Sequence, residues 1–242
     1  MKTTRLTLFR LTTVLLLAGQ ASAHAAEPAA TTPATTSRAA RLETTAAHHV
    51  NDAVAVVRKM EGVERLRGVL GKAKGIFIVP SYVRAAVGVG AAGGTGILLA
   101  RHSGGAWSDP VFYNSGGLSV GLQAGAQAGA LVLVLNNDKA LNEFLKKNNF
   151  SIDAKAGLTV VNWNKMAQGT AGIGDVVVWS DTQGLFGDVA TLEVTDIRFN
   201  ERMTNAYYRR TLSASDIISG KTTNPQAAPL VQTLGAIAAP SS

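Results

Sequence analysis

The chain contains no cysteine, so it has neither a disulfide nor the cysteine that anchors a lipoprotein. Histidine is almost as scarce: the four are His24, His48, His49 and His102. His102 sits in a Gly/Ser turn beside Arg101, with no orienting acid near it in sequence. No group of His, Asp and Glu falls at ligand spacing, so no metal or other cofactor is expected. A Ser/His/Asp triad is assembled in space rather than in sequence, and a hydrolase using His102 therefore stays open as a minor alternative. The apolar block Leu11 to Ala18 is too short to cross a membrane. A dense basic run is missing as well. Lys and Arg total 23 against 16 acids, a formal charge of +7, which is a modest bias rather than a nucleic-acid footprint.

The N-terminus has a definite pattern. Lys2, Arg5 and Arg10 precede the apolar block, and Ala21-Ser22-Ala23 follows as an Ala-x-Ala cleavage site, with Ala23-His24-Ala25 as the alternative. This reads as a secretory signal peptide over residues 1–23. Its removal lowers the formal charge from +7 to +4. The mature protein is then expected to be soluble and, in a Gram-negative cell, periplasmic. Residues 24–43 are dominated by Ala, Thr and Pro and read as a disordered spacer. Residues 222–242 read as a disordered tail on the same grounds. Between them lies one domain, 44–221, of about 180 residues, a comfortable size for a single core.

Within the domain, Thr44–Met60 has apolar residues at helical spacing (Ala46, Val50, Ala53, Val54, Val57, Met60), and Val63–Leu70 forms a second short helix ended by Gly71. Their exposed sides carry Arg58, Lys59, Arg65, Arg67 and Lys72. A basic amphipathic helix can lie on a membrane, and a helix packed on the domain with a solvated charged face is the plainer account. Ile76–Val79 is a short strand ended by Pro80; an alternating stretch follows, Gly93-Gly94 breaks it, and Gly96–Arg101 resumes.

The organising stretch is Gly116 to Asn137. As one strand, its alternation puts Gly117, Ser119, Gly121, Gln123, Gly125, Gln127 and Gly129 on one side and Leu118, Val120, Leu122 and four alanines on the other. So many glycines suggest a close backbone approach or a bend. Ala130–Leu135 has no polar face and reads as buried on both sides. Asp138 caps a helix through Lys147. Strand-like pieces follow at 150–154, 158–161, 176–180 and 189–197, with Gly184-Leu-Phe-Gly187 as a turn. Short helices at 200–208 and 213–219 close the domain, the second with Ser213 and Asp216 at capping-box spacing. The fold class is α+β: a glycine-rich, curved, mostly antiparallel, barrel-like sheet with N-terminal helices and short C-terminal helices.

Two motifs are decoys. Gly88-Val-Gly-Ala-Ala-Gly93 matches the dinucleotide fingerprint, yet it continues as a strand instead of opening a helix. Gly220-Lys221-Thr222 resembles the end of a Walker motif, but Ser215 stands where its first glycine is needed. Gln123 and Gln127 either hydrogen-bond across the sheet or line a cleft with Ser119.

A larger combination carries more weight. It comprises Ala73-Lys-Gly-Ile76 with Pro80, Gly88-Val-Gly with Gly93-Gly-Thr-Gly96, Arg101, Trp107-Ser-Asp-Pro110 and Gly121-Leu-Gln-Ala-Gly-Ala-Gln127. Gly184-Leu-Phe-Gly187, Asn205 with Tyr207-Tyr208, and Ala214-Ser-Asp-Ile217 complete it. Together these resemble the SYLF domain over roughly residues 44–221. The resemblance implies a lipid-binding module, which in eukaryotes recognises phosphoinositides and in some members binds actin. Bacterial members are secreted and commonly lipoproteins. This chain lacks the lipoprotein cysteine and a Src-homology-3 module, so what carries over is binding of anionic phospholipid, without catalysis.

Charge and position then nominate Arg58, Lys72, Lys74, Arg84 and Arg101, near the helix–sheet junction, to meet phosphate groups, with Gln123 and Gln127 as polar cleft residues. Lys72, Lys74 and Arg84 flank a short strand and either face the membrane together as one patch or are scattered solvated charges. The partner is an anionic phospholipid membrane with phosphoinositide-like head groups. The alternative is an envelope protein docking on a sheet edge. The export reading predicts a mature chain beginning between His24 and Ala26. N-terminal sequencing of periplasmic extract checks this, and an intact Met1 in the cytoplasm overturns it.

Overall fold

A computed structural model of the chain describes residues 33–87, 89–120, 125–146, 149–181 and 194–239. The expected signal peptide, Gln123, the Gly184–Gly187 turn and the start of the 189–197 strand lie outside the described residues.

Four long strands dominate: β1 (Gly75–Val87), β2 (Val89–Ala100), β3 (Val111–Val120) and β4 (Gly125–Leu135). Four short ones complete the sheet: β5 (Phe150–Ile152), β6 (Val160–Asn162), β7 (Val176–Ser180) and β8 (Val194–Phe199). The order is β5-β8-β3-β2-β1-β4-β7-β6, antiparallel except for the β6–β7 pair. The result is the expected α+β arrangement, a nearly closed, barrel-like sheet with helices around it. The long strands run β3-β2-β1-β4, so β4 returns to the far side of β1 as in a Greek key.

That topology corrects the reading of Gly116–Asn137 as one strand. The run is divided between the end of β3, beside β2, and β4, beside β1. The apolar end behaves as expected: Leu131–Leu135 is fully buried between β1 and β7.

Pro80 does not end a strand. β1 passes through it with a register shift against both neighbours, between Ile78 and Val83 on one side and Val79 and Tyr82 on the other. A bulge leaves a residue out of the ladder, so the missing proline N–H costs no hydrogen bond there. Gly93-Gly94 likewise lies inside β2, in register with Gly116 and Ser115. A close backbone approach is seen on β2. A Cβ on Gly96 would stand 2.2 Å from Phe77 Cζ, and one on Gly94 2.6 Å from the Ser81 carbonyl oxygen. Gly116 meets nothing nearer than 3.7 Å.

Helix α1 (Pro33–Glu61) begins well inside the expected 24–43 spacer. It buries the anticipated face, Ala46, Val50, Ala53, Val54, Val57 and Met60, against β1, β2 and two C-terminal helices. α2 (Glu64–Leu70) follows as expected. α3 (Asp138–Lys146) is capped by Asn137, whose Oδ1 accepts from the Ala140 N–H at 3.0 Å, rather than by Asp138. Asn137 thereby satisfies an orphan donor of the first turn. After the short α4 (Trp163–Ala167) come α5 (Glu201–Tyr208) and α6 (Ala214–Ile218), the latter with the anticipated Ser213/Asp216 capping box.

The expected disordered tail is instead helical over α7 (Ala228–Ala238). Leu230, Leu234 and Ile237 recur at helical spacing and are buried, and the helix packs on α1 and α2. Alanine-rich composition suggests disorder only when no partner surface buries the leucines, and here one does. Leu234→Ala is therefore expected to cost roughly 2–5 kcal/mol and Gly96→Ala roughly 1–3 kcal/mol by overpacking. Gly68→Ala, on α2 with open space around it, should be neutral or stabilising by up to about 1 kcal/mol. Chemical denaturation of the three variants measures all of this; an unchanged midpoint for Leu234→Ala would show that α7 does not contribute to the core.

Candidate functional site

The corner where α2 meets the sheet is organised by Arg101, one residue beyond β2. Its Nη1 donates to the carbonyl oxygens of Leu70 (3.4 Å) and Gly71, and its Nε donates to that of Gly105 at 3.1 Å. The guanidinium carbon lies 5.9 Å from the Trp107 ring centroid. The last carbonyls of a helix lack partners and carry the negative end of its dipole, so a cation is well placed there. Arg101 thus holds α2 onto the β2–β3 loop, and its charge is engaged inside the protein.

Trp107-Ser-Asp-Pro110 continues the tie. Ser108 Oγ accepts from the Ala100 N–H at 3.0 Å and donates to the Asp109 carbonyl oxygen. The Asp109 carboxylate accepts from the Asn224 N–H, and burial holds its pKa above the usual carboxylate value despite that bond. Tyr208 donates its hydroxyl to the Pro110 carbonyl at 2.8 Å, and Asn224 Nδ2 donates to that of Tyr207 at 2.7 Å. The motif joins the β2–β3 loop to α5 and to the segment leading into α7.

Lys72 and Lys74 stand beside this corner. The Lys74 N–H donates to the Leu135 carbonyl and its own carbonyl accepts from Arg101, both at 2.8 Å, while both lysine side chains are exposed. Arg58 is exposed near the end of α1. Their basic neighbours are engaged: Lys59 with Asp181 at 2.6 Å, Arg65 with the Ala167 carbonyl, Arg67 with Glu61 at 3.7 Å. Arg58, Lys72 and Lys74 make no side-chain hydrogen bond or ion pair among the described residues.

Arg84 is elsewhere. It lies ten residues on from Lys74, up to roughly 30 Å at strand rise, toward the far end of β1 and beyond the Pro80 bulge. Lys72, Lys74 and Arg84 therefore do not form the single patch that the sequence left open. Arg84 instead sits directly opposite Gln127 across the β1–β4 ladder, and Gln127 is exposed. Gln123 lies outside the described residues. Neighbouring β1 positions Val83 and Ala85 pair with Gly93, Ala91 and Ala128. Val83 is 46% exposed, so this end of the sheet presents a small apolar face to solvent.

Sequence reasoning overlooked a groove of about 720 Å³ between α1 and α5. Arg38, Leu42 and Glu43 line it from α1; Arg202, Asn205, Ala206 and Arg209 line it from α5. The α5 residues fall at i, i+3, i+4 and i+7, one helix face, and that spacing was readable. The α1 wall lay hidden in the supposed spacer. Among the described residues no three His, Asp or Glu gather as metal ligands, and no helix is long and apolar enough to cross a membrane.

Residues 116–237, about half of the chain, match the family model Ysc84, Las17-binding protein actin regulator. The human SH3 domain-containing YSC84-like protein 1 is 31% identical over 160 residues, 65% of this chain and 46% of the human protein. The SH3 domain-containing protein PJ696.02 of Schizosaccharomyces pombe is 29% identical over 172 residues, 69% of this chain and 40% of its own length. Protein YSC84 of Saccharomyces cerevisiae is 26% identical over 172 residues, covering 69% and 36%. The chain thus spans less than half the length of these relatives.

The two classes of cation at the α2 corner should separate on mutation. Arg101→Gln is expected to lower stability by roughly 1–3 kcal/mol, since it removes charge-assisted bonds to partly buried carbonyls. Lys72→Gln and Lys74→Gln should each stay within about 0.5 kcal/mol. Urea midpoints test the difference, and equal effects at all three positions would refute the assignment.

Proposed function

Because the chain belongs to the Ysc84 (SYLF) family of Las17-binding, actin-regulator proteins, we propose that it is a non-enzymatic module that binds anionic phospholipid at a membrane surface. The observation that carries this reading is the set of exposed cations Arg58, Lys72 and Lys74 near the α2–sheet corner, which have no side-chain partner among the described residues. A cation already paired to a carboxylate gains little from a phosphate. Free ones each contribute on the order of 1 kcal/mol near an anionic surface. The secretory pattern of residues 1–23 supports a periplasmic setting, where the surface is the inner leaflet of the outer membrane or the periplasmic face of the inner one.

A second reading has its own support. It is an envelope protein docking on a sheet edge. The family's description as Las17-binding makes a protein partner reasonable in kind.

Sedimentation with phosphatidylglycerol or cardiolipin vesicles over a salt series decides between them. The lipid reading expects binding that weakens as salt screens the charges and is absent on phosphatidylcholine. Replacing Arg58, Lys72 and Lys74 together by glutamine should remove about 3 kcal/mol, on the order of a hundredfold in affinity, with an unchanged circular dichroism spectrum. A folded triple variant that binds like the parent would refute the assignment of these three residues.

A further inference from the structure

The α1–α5 groove has a composition that the α2 corner lacks. Its floor is apolar, from Leu42 and Ala206 with the neighbouring alanines of α1, while three arginines and one glutamate stand around it. Glu43 is already occupied. Arg209 holds it bidentately, with Nη2 to Oε1 at 2.7 Å and Nε to both carboxylate oxygens at 3.1 Å. Arg209 does so from the left-handed C-cap of α5, at φ 52°, a conformation that costs a non-glycine residue energy. Arg38 and Arg202 are exposed and make no hydrogen bond or ion pair among the described residues. The groove is thus an apolar trough with an unbalanced positive rim.

We propose that this groove binds a single anionic amphiphile, its acyl chain along the Leu42–Ala206 floor and its head group between Arg38 and Arg202. Charge complementarity selects the occupant. A neutral apolar ligand would leave the arginines unused, and an inorganic anion would leave the floor in water. The volume is within the range of small-ligand pockets. Arginine is suited to the head group because its planar fork meets phosphate or carboxylate oxygens in pairs. Phosphate and carboxylate heads share this chemistry, and the probes below distinguish them. The inference deepens the lipid-surface reading by assigning an individual lipid molecule its own site. It uses none of Arg58, Lys72 or Lys74, so the two stand or fall separately. The α5 wall lies within the family-matched segment and the α1 wall precedes it.

The test titrates the full mature chain with lysophosphatidylglycerol, laurate, lysophosphatidylcholine and inorganic phosphate. The lipids are kept below micelle formation. Calorimetry gives affinity, and amide chemical shifts give location. Saturable binding of one or both anionic lipids is expected, with shifts at residues 38–43 and 202–209. Lysophosphatidylcholine and inorganic phosphate should bind at least tenfold more weakly. Arg38→Glu with Arg202→Glu should weaken binding at least tenfold, and Ala206→Trp, which fills the trough, should do the same without adding charge. Both leave core residues untouched, and circular dichroism verifies folding.

Binding that survives both variants, or equal binding of inorganic phosphate, overturns the proposal. So does shift perturbation that tracks self-association in sedimentation velocity, which would assign the groove to a second copy. If the groove variants lose the monomeric lipid but still sediment with anionic vesicles, the groove is confirmed and the surface reading is untouched. If monomeric lipid never binds while vesicles still do, the groove proposal alone fails.

Discussion

The ring of Phe77 occupies the space that a side chain on Gly96 would need, and much of the molecule is arranged around that contact. Removing the Cβ at one β2 position lets an aromatic ring of β1 lie across the neighbouring strand. The ring then meets Phe144 of α3 at 5.0 Å and Tyr113 of β3 edge-on at 6.2 Å. Tyr113 donates its hydroxyl to the Phe144 carbonyl at 2.9 Å, and burial raises the pKa of that phenol well above normal. One missing carbon therefore joins three strands and a helix. Close packing makes such a site intolerant of a methyl group in either direction.

From this centre the sheet has two unlike ends. Toward Gly75 and Leu135 the strands are buried on both faces, and α1, α2 and α7 gather near them. There the polar side chains serve construction: Arg101, Ser108, Asp109 and Asn224 tie loop to helix, while Arg58, Lys72 and Lys74 have no side-chain partner among the described residues. Toward Ala85 and Gln127 the same strands carry alanine, glycine and valine with solvent on them. Lys74 precedes one end of β1 and Arg84 lies toward the other, so charges close in sequence are spread along the strand.

The distinction between engaged and free cations does most to narrow the functional reading. Sequence charge counts treat every Lys and Arg alike. In the fold, Arg101, Arg65 and Arg209 are committed to carbonyls or a carboxylate. A site built from those would have to break internal bonds before it made external ones. Among the described residues, Arg58, Lys72 and Lys74 near the α2 corner and Arg38 and Arg202 at the α1–α5 groove make no side-chain hydrogen bond or ion pair. An anionic membrane and an individual anionic lipid are compatible demands on one protein.

Several features were determined by the sequence alone. The buried run Leu131–Leu135, the apolar face of α1 and the Ser213/Asp216 capping box follow from local periodicity and side-chain chemistry, and each is as expected. The combination of glycine, Trp-Ser-Asp-Pro and Tyr-Tyr motifs was enough to point to the family. Other features needed the third dimension. Whether Pro80 ends a strand depends on a bulge in both adjacent ladders, which local propensity does not encode. Whether an alanine-rich tail is a helix depends on α1 and α2 offering a surface for Leu230 and Leu234. Arg101 was nominated from its charge to meet phosphate, and only the fold shows its side chain donating to carbonyls at the end of α2, about thirty residues away in sequence. The α1–α5 groove joins residues more than 150 positions apart (Glu43 to Arg209, 166), and no window along the chain contains both walls. Periodicity reports what a residue's neighbours in sequence require; only the packed fold decides which charges remain free.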